Sequence, residues 1–479
     1  MTKAHKFDVD VAILGAGTAG MSAYREASKY TDRIALIDGG PLGTTCARVG
    51  CMPSKLLIAA ADAAEHMRHT DKFGVQSVEP KIDGKAVMKR VRDERDRFVG
   101  FVKDAVLGFK KEHLIREYAR FEDDHTLVLS GGGKLTAKTI IIATGSRPNI
   151  PVPFQAAGDK LIVNDDVFDW DDLPESVAVF GAGVIGLELG QALHRLGVRV
   201  HLFGRDNLVG PLSDPVVRDY AAKTFASEFP VHWHADTKII RDEDQVVVRW
   251  SNKPEDEEVF DYLIAATGRK ANLDKIGLEN TSLRLNAQGI PAYDTLSMRV
   301  HDSHIFIAGD ATVDLPLLHE AADEGRIAGE NAARFPHAYR RARRTSLGVV
   351  FSDPQIATAG ESFKSLTENG VDFEIGEVSY DDQGRARVMG VNKGLLRVYG
   401  EKKTGRFLGA EMIGPSAEHL VHLLAWAIQS NLTVSEILQR PFYHPVLEEG
   451  VRTAFRSLNH ALGYGPNPPL RCIDCGPGA

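Results

Sequence analysis

Cysteine is scarce in this chain, with four in 479 residues. That excludes a disulfide scaffold. A reducing, cytoplasmic setting is expected, in which paired cysteines serve catalysis or metal binding. Long apolar runs are also missing. None reaches the roughly 18 residues that a membrane-spanning helix needs. The first apolar run, at 11–14, is too short for a secretory signal and follows Asp8 and Asp10. Nor is positive charge in excess: 65 Asp and Glu outnumber 57 Lys and Arg, a net charge of -8. Neither nucleic acid nor a membrane is therefore an expected partner. The basic run at 340–344 reads as a solvated linker or helix face. What remains, 43% hydrophobic and 25% charged, suits a globular protein of several domains.

Two of the cysteines share one stretch, Cys46-Ala47-Arg48-Val49-Gly50-Cys51-Met52-Pro53-Ser54-Lys55. Pro53 and the alanine-rich run at 56–64 predict a helix that begins close to Cys51, since proline is tolerated in a first turn. The dipole at a helix N-terminus favours a thiolate. Two thiols on one short loop, one of them activated, fit a pair that cycles between dithiol and disulfide. By itself the spacing fits two unrelated buried cysteines equally well, because it is not C-x-x-C.

The rest of the chain adds a repeated pattern. A short apolar strand runs into Gly15-x-Gly17-x-x-Gly20 and then into a helical pattern, and the strand at 34–37 ends in Asp38. This is the dinucleotide arrangement. Its glycines let the backbone reach a pyrophosphate at the helix N-terminus, and its acid meets the ribose 2′-hydroxyl. A charged helical segment follows at 81–112, then an apolar strand at 139–143 that ends in Thr144-Gly145-Ser146-Arg147-Pro148. The pattern then recurs. A strand at 177–180 leads into Gly181-x-Gly183-x-x-Gly186, and a later strand ends in Thr267-Gly268-Arg269. Two such motifs imply two dinucleotides. The first, nearest the cysteines, holds the resident one. In the second, the position equivalent to Asp38 is Gly204, and Arg205 stands beside it. An arginine there accepts a 2′-phosphate, as in NADP sites; Asp206 can instead replace the acid. NAD and NADP both stay open, with a physical lean to NADP.

Further on, Gly309-Asp310 makes a sharp turn between a strand and a helix that carries His319. Taken alone, Asp310 reads as a helix cap. From residue 346 short β-type runs and an apolar helix at 417–430 suggest an α+β domain with an interface role. His444-Pro445 precedes a helix that carries Glu449, which can hold the imidazole as the base that thiol chemistry needs. The Gly/Pro-rich end contains Cys472 and Cys475, a C-x-x-C that fits incidental thiols, a mobile redox shuttle or a weak metal site.

Gly43-Thr44-Thr45-Cys46-x-x-x-Gly50-Cys51-x-Pro53-Ser54-Lys55, taken with both dinucleotide motifs, the Gly309-Asp310 turn and His444-Pro445, closely resembles the class I flavoprotein disulfide reductases. Dihydrolipoamide dehydrogenase is the nearest member. Glutathione reductase, mercuric reductase and soluble transhydrogenase are relatives. The resemblance spans nearly the whole chain. It implies an α/β fold with two Rossmann-like dinucleotide-binding domains, for FAD and NAD(P), and a C-terminal α+β interface domain. The expected boundaries are 1–152 with 273–345 for FAD, 153–272 for NAD(P), 346–465 for the interface, and 466–479 for a flexible tail.

Carried over residue by residue, Cys46 resembles the thiol that exchanges with substrate and Cys51 the one that contacts the flavin. Lys55 and Glu188 resemble the ion pair beside the flavin, although Glu188 itself lies on the NAD(P) motif's helix. Gly15, Gly17, Gly20, Asp38, Thr144, Gly145, Gly309, Asp310 and His319 fall to the FAD site. Gly181, Gly183, Gly186, Arg205 and Gly268 fall to the NAD(P) site, and no metal is expected. His444 with Glu449 resembles an acid–base dyad that comes from the partner subunit, which implies a homodimer with shared active sites. The expected activity passes electrons from dihydrolipoamide, free or on a carrier domain, through Cys46–Cys51 and FAD to NAD(P)⁺. The alternatives are an NADPH-dependent disulfide or metal-ion reductase that uses the tail cysteines, a transhydrogenase, which would not need the cysteine pair, and a non-catalytic subunit of a multienzyme complex. The chain departs from the family pattern at Thr44, at Val446 after the His-Pro pair, and at Gly204. These departures bear on the substrate and the nicotinamide, and leave the disulfide chemistry untouched.

Overall fold

The computed structural model describes residues 7–205, 208–251 and 255–464. Asp206, Cys472 and Cys475 lie outside the described residues.

The first dinucleotide motif sits in a nine-stranded sheet. Its centre is parallel. Val9–Leu14 pairs with Ile34–Ile37 on one side and with Lys134–Ile142 on the other, and Ile305–Ile307 pairs with the far edge of Lys134–Ile142. Strands buried on both faces read as continuous apolar runs, which is why 11–14, 34–37 and 140–142 carry no alternation. The second motif sits in a five-stranded parallel sheet in the order Val231–Trp233, Arg199–Gly204, Ser176–Phe180, Tyr262–Ala265, Leu161–Val163. Both motifs thus open at the carboxyl ends of central strands, where such sheets bind ligands. A two-stranded ribbon, Ser146–Pro148 against Arg269–Ala271, ties the two crossovers together.

The last domain is a five-stranded antiparallel sheet, Leu347–Val350, Gln355–Gly360, Phe407–Gly414, Leu395–Glu401, Phe373–Ser379. The helices Ala417–Gln429 and Glu448–Ala461 bury their apolar residues against its core. Trp426 (64% exposed) and Leu423 (40%) on the first of these face outward. No helix among the described residues is long and apolar enough to cross a membrane.

The charged segment 81–112 is helical over Gly84–Leu107, where Asp83 accepts a hydrogen bond from the Ala86 amide at 3.0 Å as its cap. Two expectations are corrected. Asp310 caps no long helix: it lies in the short 3₁₀ turn Gly309–Thr312, and the helix Leu318–Ala333 starts from Leu317. The basic run is not simply solvated either. Arg343 is only 17% exposed and donates to Glu320 (2.5 Å) and Glu324 (3.0 Å), while Arg341 donates to Glu330 at 2.5 Å. The sequence hid this because those carboxylates lie on Leu318–Ala333, spaced along a face that looks polar in isolation. Four carboxylates are buried on that helix, Glu320, Asp323, Glu324 and Glu330, and their burial requires cations beside them.

Candidate active site and its two dinucleotide crevices

Thr45–Val49 forms a short helix that carries Cys46, capped by the Thr44 hydroxyl, which accepts from the Ala47 amide at 3.2 Å. The non-glycine at position 44 therefore has a role: it supplies that cap, at a backbone φ of +43° that is unusual for a side-chain-bearing residue. Gly50 breaks the chain, and Cys51 begins the 18-residue helix Cys51–Arg68 with Pro53 in its first turn. Cys46 and Cys51 are joined as a disulfide, with Cα atoms 4.7 Å apart. On reduction, Cys51 is the sulfur at a long helix's N-terminus, where the dipole stabilises a thiolate.

The helix is held from three sides. Lys55 Nζ donates to Glu188 Oε1 (2.9 Å) and Oε2 (2.7 Å), and Glu188 is buried on Val184–Arg195, the helix that follows the second motif. The Phe351 amide, from the last domain, donates to Glu188 Oε1 at 3.0 Å. The Phe351 ring lies 4.5 Å from Lys55 Nζ. Phe351 was not foreseen, because nothing in its local sequence marks it. One carboxylate thus joins the disulfide helix, the second dinucleotide unit and the last domain. Glu188→Ala should destabilise the protein by about 2–3 kcal/mol, the lower range for a broken buried pair because Lys55 keeps some solvent. Glu188→Gln, which keeps the amide contact, should cost less. Equal denaturant midpoints for wild type and Glu188→Ala would remove the pair from the stability argument.

The first crevice suits FAD on observations of its own. A Cβ on Gly20 would come within 1.8 Å of the Gly15 carbonyl oxygen, so strand and helix need glycine there to approach. A Cβ on Gly17 would meet nothing within 4 Å, which leaves room for a pyrophosphate. Asp38 stands at the end of its strand and accepts from the Ala16 amide (2.7 Å) and the Gly40 amide (2.8 Å). Arg116 fastens that turn by donating to the carbonyls of Asp38 and Gly40, a contact that no motif announced. Thr144 Oγ1 is buried and has no hydrogen-bond partner among the described residues, as expected of a group awaiting a ligand. Ser146 Oγ donates to Asp310 Oδ2 at 2.7 Å, and Arg269 Nε donates to Ser146 Oγ at 2.8 Å. The Gly309 amide donates to buried Glu324 at 2.7 Å. Thr144, Gly145, Gly309 and Asp310, far apart in sequence, thus converge. His319 is exposed at the start of the helix Leu318–Ala333, with Nε2 3.7 Å from Glu320 Oε1.

The second crevice repeats the geometry. A Cβ on Gly186 would come within 1.8 Å of the Gly181 carbonyl oxygen, and one on Gly183 or Gly268 would meet nothing within 4 Å. Arg205 is exposed just past the end of its strand. The ring of Trp233 sits beside Gly204, which sequence reasoning missed.

His444 and Glu449 are hydrogen-bonded to each other. His444 Nδ1 lies 3.0 Å from Glu449 Oε1 and 3.2 Å from Oε2, and the Val446 amide donates to Glu449 at 3.2 Å. These hydrogen bonds, that from His444 foremost, hold the Glu449 carboxyl below the usual glutamate range. It therefore stays ionised through neutral pH, and its hold on the imidazole is lost only as pH falls through that depressed value. His444 is 82% exposed. No hydrogen bond or ion pair among the described residues connects the dyad to Cys46 or Cys51 within one chain.

Comparison with known proteins agrees with this layout. The family described as pyridine nucleotide-disulphide oxidoreductase matches residues 9–325, and its dimerisation domain matches 346–455, which supports a homodimer. The chain is 28% identical over 462 residues to a dihydrolipoyl dehydrogenase of Geobacillus stearothermophilus, covering 95% of this chain and 97% of that protein. It is 29% identical over 470 residues to a mercuric reductase of Shigella flexneri, covering 94% and 80%. In fold it is similar to LpdA from Mycobacterium tuberculosis (TM-score 0.79, 24% identity, 94% and 99% covered). It is also similar to the HOCl-induced flavoprotein disulfide reductase RclA of Escherichia coli (TM-score 0.78, 22% identity, 93% and 99% covered). FAD and pyridine nucleotide binding are characteristic of the matched family. With a redox disulfide at the head of a helix and two dinucleotide crevices beside it, the chain belongs to the class I pyridine nucleotide-disulphide oxidoreductases.

Proposed function

We propose that the protein oxidises a dithiol of the dihydrolipoamide type and passes the electrons to NAD(P)⁺, acting as a homodimer whose dyad serves the partner's disulfide. The observation that carries this reading is the His444–Glu449 pair. A dithiol substrate must lose its protons to exchange with a disulfide, and an exposed imidazole held by an ionised carboxylate is a base aimed at an outside partner.

His444 takes the proton of one substrate thiol. The thiolate attacks Cys46 Sγ, the Cys46–Cys51 bond breaks, and Cys51 leaves as a thiolate at its helix N-terminus. The second substrate sulfur attacks the first, the bond to Cys46 breaks, and Cys46 takes up the second proton. The substrate leaves as a disulfide, and the two electrons it gave reside on the cysteine pair. A flavin held by Asp38, Thr144 and Asp310 would supply the two-electron acceptor for that pair and the hydride chemistry toward the nicotinamide. Lys55 and Glu188 orient the helix that presents Cys51.

The test is reduction of NAD⁺ and of NADP⁺ by the flavin-loaded dimer with dihydrolipoamide as donor. Reduction of either acceptor is expected. Failure with both, alongside NADPH-driven reduction of another disulfide, would overturn the substrate assignment and favour a reductase of the glutathione or mercuric type. The packing around Gly204 favours the NADPH half of that second reading.

A further inference from the structure

The second crevice has a built-in choice of nucleotide, and this inference rests on reading that crevice as the nicotinamide dinucleotide site. The strand Arg199–Gly204 ends at Gly204 and its neighbour Val231–Trp233 ends at Trp233, and the two residues are register partners. Strand alternation sets their face. His232, one residue earlier, packs on the opposite side: its ring lies 4.8 Å from Phe203 and 4.7 Å from Trp250, and its Nε2 lies 3.1 Å from His201 Nδ1. This aromatic packing turns the partly buried Trp233 toward Gly204 and the dinucleotide loop. A Cβ built on Gly204 would come within 2.6 Å and 2.8 Å of two Trp233 ring carbons, and within 3.5 Å of Ala182 Cβ in the loop itself.

The position from which a dinucleotide fold sends a carboxylate to the adenosine ribose is therefore occupied by an indole. Glycine at 204 is a packing requirement, and no side chain fits there while the ring stays. We propose that Trp233 is a specificity-determining residue: it closes the ribose corner to a carboxylate and walls it with an apolar ring. The site thus takes a dinucleotide bearing a phosphate on the adenosine 2′-oxygen, as in NADP(H), with Arg205 at the mouth of the same strand. A carboxylate would repel that phosphate, whereas an indole beside a guanidinium does not.

Adenosine 2′,5′-bisphosphate and 5′-AMP are suitable probes, titrated calorimetrically into the flavin-loaded dimer. Wild type should bind the bisphosphate roughly tenfold or more tightly than 5′-AMP. Trp233→Ala should weaken both probes severalfold, while Trp233→Phe should keep the wild-type order. Gly204→Glu alone should not gain affinity for 5′-AMP, whereas Gly204→Glu with Trp233→Ala should reverse the preference. Equal affinity for the two probes, or tighter 5′-AMP, in wild type overturns the inference and leaves the dinucleotide reading standing. Unchanged affinities in Trp233→Ala, or a preference reversed by Gly204→Glu alone, remove Trp233 from the choice. Binding of neither probe overturns the dinucleotide reading and this inference with it.

Discussion

Cys46→Ser should abolish dithiol oxidation, by on the order of 10⁴-fold or more, while the protein stays folded and yellow. The size follows from the role. In the proposed scheme Cys46 is the sulfur that forms and breaks the bond to substrate, and enzymes that lose their covalent nucleophile fall by factors of this scale. A serine oxygen cannot form a disulfide, so no route remains for the electron pair to reach Cys51. The fold should be indifferent, because the short helix that holds Cys46 is capped by Thr44 and does not depend on the sulfur. The residues that line the first crevice, Asp38, Thr144 and Asp310, all lie outside this helix. Dihydrolipoamide turnover at the wild-type rate in this variant would sink the scheme. Loss of flavin on purification would show instead that the cysteine segment is part of the crevice.

His444→Ala should slow thiol oxidation at least 100-fold, roughly the scale of a lost general base. It should do so without loss of stability, since the imidazole is 82% exposed. Glu449→Gln should lie between, because the amide keeps a hydrogen bond and loses the charge. The decisive form of the experiment mixes two dead proteins. If the dyad serves the partner's disulfide, a co-expressed mixture of Cys46→Ser and His444→Ala forms hybrid dimers with one intact site each. In a two-fold dimer with random pairing that recovers roughly a quarter of wild-type activity. If both groups act within one chain, the mixture stays dead.

Much of this architecture could be read from sequence, because its signals are local. The two glycine motifs, the apolar strands before them and the helices after them depend on spacings of a few residues, as does the proline-led helix after Cys51. The apolar helix expected at 417–430 likewise forms, over Ala417–Gln429. What escaped was set by register between distant strands. Arg116 reaches Asp38 because Leu114–Ile115 pairs beside Ile34–Ile37. Ser146 meets Asp310 because Ile305–Ile307 lies next to Lys134–Ile142. Trp233 meets Gly204 through one cross-strand pair. Arg343 looked like part of a solvated run because its three buried carboxylates belong to another element. None of these contacts leaves a mark within ten residues of either partner.

The first sheet is discontinuous in the chain, and this has a consequence for biosynthesis. Ile305–Ile307 completes it beside Lys134–Ile142, but the five-stranded sheet, from Leu161–Val163 to Tyr262–Ala265, lies between them in sequence. The ribosome delivers the N-terminus first, and domains fold as units once their residues are out. The inner unit can therefore close while the outer one still lacks a strand. Glu324, which holds the Gly309 turn, and Arg343, which neutralises it, emerge later still. The crevice that begins first in the sequence is thus the last to be finished on the ribosome, and its flavin has no complete berth until synthesis has passed into the final domain.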